Sequence, residues 1–410
     1  MKTIHVKHLG NRDQRNPSSV RKIVHRFTLG LGGLLIVLLL TSGISAVINS
    51  SLPTHSEVVD HLSNLETARL AEFFHLKREL GSSIWSGWGE ADIPVILYNE
   101  GYAFLVGYPD PPPGWLKMPQ RESRGAAWEV IPDDKFDSMP YYRQRLTDPN
   151  KTPEGFTVLV GDRWVATFQT REYSEISFYS GLREEFPPVV REIIPYSLFW
   201  NLISGESDAY LAFLLHEAFH AYQGSLSPDL FAQAEEVMRL ENRYPWEDPV
   251  HLDAWQKELD LLVEAANATS NEEAAELVRQ FLAQRDARRT KLGLSSELVD
   301  FERRREWLEG LAKYTELAIG RMAATTPGYE PLPDMHADPE FNDYRSRDHF
   351  WSLQLNQVRQ VLKNEGEVRF YYSGFAQAIL LDRLLPSWRT SVISEGTPLE
   401  ELLQDAISQY

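Results

Sequence analysis

The chain has 410 residues, 41 Lys and Arg against 59 Asp and Glu, a net charge of −18, and no cysteine. Apolar residues at 43% and charged residues at 24% exclude intrinsic disorder. The lack of Cys excludes a disulfide scaffold, thiolate metal sites and a cysteine nucleophile, so any metal must be held by His, Asp or Glu.

Residues 1–26 carry seven basic side chains and one acid, a net +6, which leaves −24 on the remainder. A body that acidic offers no phosphate footprint, so nucleic acid is set aside as a partner. Phe27 to Ile48 (FTLGLGGLLIVLLLTSGISAVI) is a 22-residue apolar run, and residues 27–50 hold no charge. At about 1.5 Å per residue such a helix spans the bilayer, which predicts a transmembrane signal anchor at 27–50 with residues 27–48 in lipid. The apolar run exceeds a signal-peptide core, so the anchor is expected to be retained rather than cleaved near Gly43-Ile44-Ser45-Ala46. By the positive-inside rule, residues 1–26 stay cytoplasmic and everything after residue 50 is extracytoplasmic. That is the expectation for a single-pass membrane protein.

Residues 51–180 are predicted to hold a stalk or first helix within 56–80 and a β-containing region. Ile93–Tyr98 and Tyr102–Tyr108 flank Asn99-Glu100-Gly101, and Phe156–Val160 and Arg163–Thr170 flank Gly161-Asp162; both read as hairpins. The second hairpin is a candidate edge for an extended peptide. Residues 181–410 read as helical, with a charged helical insertion at about 228–300. Strands first and helices afterwards predict an α+β fold with an N-terminal transmembrane helix.

Ser207 to Gly224 (SDAYLAFLLHEAFHAYQG) reads as one helix, with Ser207 or Asp208 capping its start and Gly224 placed for a left-handed cap at its end. Nearly every residue between is apolar except His216, Glu217, His220 and Gln223. His216, His220 and Gln223 follow i, i+4, i+7 and share a face, where unpartnered burial would cost several kcal/mol. A divalent metal receives them directly. In this HExxH pattern, two imidazoles one turn apart bind zinc and the intervening Glu217 can deprotonate a zinc-bound water. A third protein ligand is then needed, and the segment Arg304 to Glu316 is the best source: it lies in a helix starting near Ser295 or Ser296, whose apolar side Glu309 interrupts beside Gly310. Glu306 and Glu316 compete for that role.

HExxH followed by EGxAxYxE (Glu309 to Glu316) resembles the gluzincin metallopeptidases, including aminopeptidase-N-like and glycyl-aminopeptidase-like enzymes. The resemblance implies a zincin-like catalytic half and makes Glu309 the third zinc ligand. Tyr371-Tyr372-Ser373-Gly374 resembles their Tyr-x-x-Gly helix start, which implies that Tyr371 donates to the tetrahedral oxyanion. Tyr372, His336 and His349 are the reserves. The chain departs from the family in three ways. Glu309 lies 89 positions after His220 instead of about twenty, no GxMEN-type segment is present, and Lys313 stands where thermolysin-like enzymes place an aspartate. The expected function is a membrane-anchored zinc metallopeptidase acting on a peptide or protein substrate, with one Zn2+ per chain and Glu217 as general base. The alternatives are a zinc hydrolase of another amide or ester, and a tethered binding protein with a structural zinc site.

Overall fold

The structure, a computed structural model, describes residues 42–146, 157–203, 206–363 and 366–410. In chain order it holds α1 (residues 42–49), α2 (Asn64–Ile84), β1 (Val95–Tyr98), β2 (Tyr102–Val106), β3 (Trp115–Lys117), β4 (Glu122–Arg124), β5 (Glu129–Val130), β6 (Tyr142–Arg145), β7 (Val158–Val160) and β8 (Arg163–Gln169). Helices follow: α3 (Arg171–Glu185), α4 (Pro188–Arg191), α5 (Tyr196–Ile203), α6 (Ser207–Leu226), α7 (Pro228–Glu236), α8 (Pro249–Ala266), α9 (Asn271–Leu292) and α10 (Ser296–Arg305). The last are α11 (Leu311–Thr325), α12 (Arg347–Gln357), α13 (Val368–Leu384), α14 (Trp388–Thr390) and α15 (Leu399–Ile407). Two compact units divide the chain, a smaller one from Met1–Thr54 with Ile176–Ile203 and a larger one from His55–Glu175 with Ser204–Tyr410.

The expected fold class and localisation both require correction. Among the described residues no helix is long and apolar enough to cross a membrane, so a single-pass protein with a transmembrane helix at 27–50 is not supported. Residues 1–41 lie outside the described residues. At the end of the helical residues 42–49, Asn49 Nδ2 donates to the carbonyls of Glu192 and Ile194 (both 2.8 Å) and ties these two parts of the smaller unit together. The expected α+β class also gives way to a predominantly helical chain whose strands are gathered into one sheet.

In the larger unit that sheet runs β4-β3-β7-β8-β1-β2-β6-β5, antiparallel at every step except the parallel β8–β1 pair. The β1–β2 hairpin closes because Asn99 Oδ1 accepts from the amides of Gly101 and Tyr102, both at 2.9 Å. β7 lies between β3 and β8, so the edge strand expected in the second hairpin is absent; the edges are β4 and β5. Phe156, the expected start of that hairpin, falls outside the described residues. Helix α2 is the first helix of the larger unit. Leu70, Phe73, Leu76, Leu80 and Ile84 are buried along it, and it packs on α6 and α11.

Helix α6 lies across β8, and it differs from the sequence reading at both ends. It continues to Leu226, so Gly224 is interior; a Cβ there would fall 2.4 Å from the Trp164 ring, and the glycine serves that close approach. At the start, Asp208 accepts from the amides of Asn342 and Tyr344 and Ser207 donates to Asp338, so both brace a loop instead of capping the helix.

Helices α10 and α11 are joined by one wide π-helical turn, Glu306–Gly310, so that they run on as one rod. This rod meets α13 at two glycines. A Cβ on Gly310 would sit 2.5 Å from the Gly374 Cα, and one on Gly374 would sit 2.7 Å from the Glu306 carbonyl oxygen. Behind the turn, the charged helices α8 and α9 bury an ionic network. Arg285 holds Glu306 through two bonds (2.7 and 2.9 Å) and also reaches Glu258 and Glu400; Arg288 and Arg289 hold Glu302.

Two consequences are measurable. Gly374→Ala should lower stability by about 1–3 kcal/mol through overpacking, read as a drop in denaturant midpoint. Burial opposes charge on Glu400, but Arg285, Arg289 and Arg303 outweigh it and hold its carboxyl at about 2, from an ordinary 4.5. A depressed carboxyl stabilises the fold above its unfolded pKa, so this contribution is complete above pH 4.5 and is lost as pH falls toward about 2. Glu400→Gln should be less stable at neutral pH and show a shallower fall in midpoint between those values.

Candidate metal centre

Helix α6 places His216 and His220 one turn apart, with ring centroids 4.7 Å apart at 84°. The wide turn between α10 and α11 directs Glu309 onto the same point. One donor atom from each of His216, His220 and Glu309 lies within 4.8 Å of the other two, and all three residues are buried. Among the described residues this is the only group of three or more His, Asp or Glu so arranged.

The outer nitrogens of the imidazoles settle what the inner ones offer. Gln223 Nε2 donates to the Trp307 carbonyl at 2.9 Å, which turns Gln223 Oε1 toward His220 Nδ1, also at 2.9 Å. An amide oxygen only accepts, so Nδ1 carries the proton and Nε2 presents its lone pair. His216 Nδ1 meets Glu316 Oε2 at 2.9 Å, with the same result, and Lys313 pairs with the other oxygen of Glu316 at 2.5 Å. The two Nε2 atoms then face one oxygen, Glu309 Oε2, at 3.3 and 3.4 Å. Ligands about 2.0–2.1 Å from a tetrahedral ion are separated by about 3.3 Å, so the spacing fits zinc.

Burial opposes charge on His216, yet hydrogen bonds to Glu309 and Glu316 outweigh it and lift its pKa to about 10, so without a metal Nε2 keeps a proton facing Glu309, and a cation would have to displace that proton to use the lone pair. Burial likewise opposes a charged Glu309, but Arg305 and the imidazoles hold its carboxyl well below the usual range. Arg305 Nη2 donates to Glu309 Oε1 at 2.7 Å, which fixes the carboxylate and leaves Oε2 for the shared point.

A cavity of about 240 Å³ opens beside these groups, lined by Glu217, Tyr371, Thr157, Phe231, Glu235, Met238, Arg305 and Glu367 with the three donors. Burial, offset by His220 and His216, pushes Glu217 up to about 7. The Tyr371 ring stacks at 5.9 Å and 11° on His216, and burial holds its hydroxyl protonated, well above the ordinary phenol range.

The structure thus brings His216, Glu217, His220, Glu309 and Tyr371 to one cavity. It does not bring the competitors there as donors. Glu306 is bound by Arg285 and Ser373 on the far side of the turn, while Glu316 supports His216 from behind. Tyr372 donates to Gln354, and His336 and His349 are exposed and do not line the cavity. Sequence reading missed Arg305, Glu235, Glu367 and Thr157. Only Arg305 carried a signal, since it stands one helical turn before Glu309. No family model matches the chain, and no curated protein or solved structure matches it.

Gln223 orients His220 and anchors it to the turn that carries Glu309. Gln223→Ala should therefore weaken zinc affinity roughly 10–100-fold, measured by competition with a chromophoric chelator.

Proposed function

We propose that the chain is a zinc-dependent metallopeptidase, with His216, His220 and Glu309 as the metal ligands. The observation that carries this reading is the triangle of two imidazole nitrogens and one carboxylate oxygen, with Glu217 and Tyr371 on the wall of the adjoining cavity. Bound there, zinc would supply a Lewis acid for the scissile carbonyl and acidify a water molecule.

The remaining work falls to the protein's own side chains. Glu217, with a pKa raised to about 7 by burial, is matched to accept a proton at neutral pH and return it to a leaving amine. No hydrogen-bond partner among the described residues holds its carboxylate, so it is free to turn toward substrate. Tyr371 keeps its hydroxyl proton and is suited to donate to the oxyanion that develops on the carbonyl oxygen. Glu316 and Gln223 hold the imidazoles in one tautomer and Arg305 holds Glu309, so the ligands are preorganised. The cavity, at about 240 Å³, has room for one or two residues of a peptide and is walled by Phe231 and Met238.

A zinc site in a non-catalytic binding protein has no use for Glu217. The decisive experiment follows from that. Glu217→Gln should abolish cleavage of a quenched-fluorescent peptide library while zinc content stays at about one per chain. A fully active variant would remove Glu217 as the base. His220→Ala should lose the zinc as well as the activity, and a wild-type protein that takes up no zinc would overturn the whole reading.

A further inference from the structure

One wall of the cavity beside the metal centre comes from a single helical face. Phe231 and Glu235 on α7, and Met238 in the 3-10 turn that follows it, stand at i, i+4 and i+7 and all line the cavity. The Phe231 ring meets Trp164 edge-on, with centroids 5.0 Å apart, and Met238 packs against the core. A carboxylate thus stands between two apolar side chains. Glu235 also lacks a close partner. Among the described residues its nearest cation is Arg305, 4.0 Å from Oε1. That guanidinium is already engaged: Nη2 meets Glu309 at 2.7 Å and Glu367 at 2.6 Å, and Nη1 donates to the Ala234 carbonyl at 3.3 Å. Burial raises the pKa of Glu235, and Arg305 offsets this only in part. A partly desolvated carboxylate in that position gains from a further cation.

We propose that Glu235 receives the ammonium or guanidinium of a substrate lysine or arginine side chain next to the scissile bond, with Phe231 and Met238 flanking its methylene stem. The proposal rests on the reading of this cavity as a peptidase site, and names its substrate class. Lysine and arginine carry a cationic head on an apolar stem, which matches an acid set between apolar side chains. A bare α-amine would use Glu235 alone and leave Phe231 and Met238 uncovered. A neutral side chain would cover those apolar atoms but leave the Glu235 carboxylate desolvated without a partner. Acidic side chains meet an opposing field, because Glu217, Glu235 and Glu367 line the same cavity around one guanidinium that is already paired. Glu235 is thus a specificity residue and takes no part in bond breaking.

The test separates binding from cleavage. Full-length Glu217→Gln protein, supplied with zinc, is titrated calorimetrically with acetylated, amidated alanine peptides carrying lysine, norleucine or glutamate at one central position. The lysine peptide should bind about tenfold more tightly than the norleucine peptide, the worth of one charge-assisted hydrogen bond, and the glutamate peptide more weakly than either. Adding Glu235→Gln should bring the lysine and norleucine affinities together. Equal affinities before that change, or a lysine preference that survives it, would overturn the proposal. So would an unacetylated norleucine peptide that binds as tightly as the acetylated lysine peptide, which would assign the carboxylate to an α-amine. Wild-type cleavage of the same peptides tells this failure from failure of the peptidase reading. Cutting without regard to the central residue removes the Glu235 pocket and keeps the peptidase. No cutting, with the lysine preference intact in binding, keeps the pocket and removes the peptidase.

Discussion

A charge buried among helices has to meet an opposite charge at hydrogen-bond distance, and in this chain that requirement sets the position of the metal centre. Arg285 enters the core from α9 and takes Glu306 in a two-point grip, while Arg288 and Arg289 take Glu302 one turn earlier. Leaving any of these guanidiniums unpaired would cost several kcal/mol. The helical rod of α10 and α11 therefore has little freedom to rotate or slide. Glu309 sits three residues beyond Glu306 on the same wide turn, so fixing the Glu306 carboxylate also fixes the turn that carries Glu309.

Close packing completes what charge begins. The Gly310–Gly374 contact brings α13 against the wide turn with no side chain between them, which carries Tyr371, one turn before Gly374, to the ring of His216. On the facing side Gly224 lets Trp164 of β8 press into α6, so the HExxH helix is seated directly on the sheet. The imidazoles are oriented from behind by Gln223 and Glu316. Ligand, orienting residue and backbone anchor form a chain from His220 through Gln223 to the carbonyl of Trp307, and so link α6 to the turn that bears Glu309.

Part of this was legible in the residues themselves. The i, i+4 spacing of His216 and His220 on an apolar helix requires that they face one point, and helix geometry leaves no other outcome. The apolar interruption at Glu309 beside Gly310 marked a carboxylate entering a core. Asn99-Glu100-Gly101 marked a turn, because Asn and Gly satisfy a tight hairpin locally. The long apolar run read as a membrane span, whereas among the described residues no helix is long and apolar enough to cross a membrane. The expected glycine cap was also misread: Gly224 looks the same in sequence whether it ends a helix or admits a tryptophan ring.

Sequence alone determined the donor types, the shared face of the two histidines, the exclusion of thiolate chemistry and the uneven charge along the chain, because each follows from composition or from the fixed 3.6-residue period. Only tertiary structure decided which glutamate joins the histidines. Glu306, Glu309 and Glu316 are equally plausible by type, and their roles separate only when Arg285 and His216 arrive from other helices to claim Glu306 and Glu316, while Arg305, one turn earlier on the same rod, claims one oxygen of Glu309. Residues 20 to 100 positions apart meet there, and a helical period carries no information about which partner a carboxylate will find across an interface.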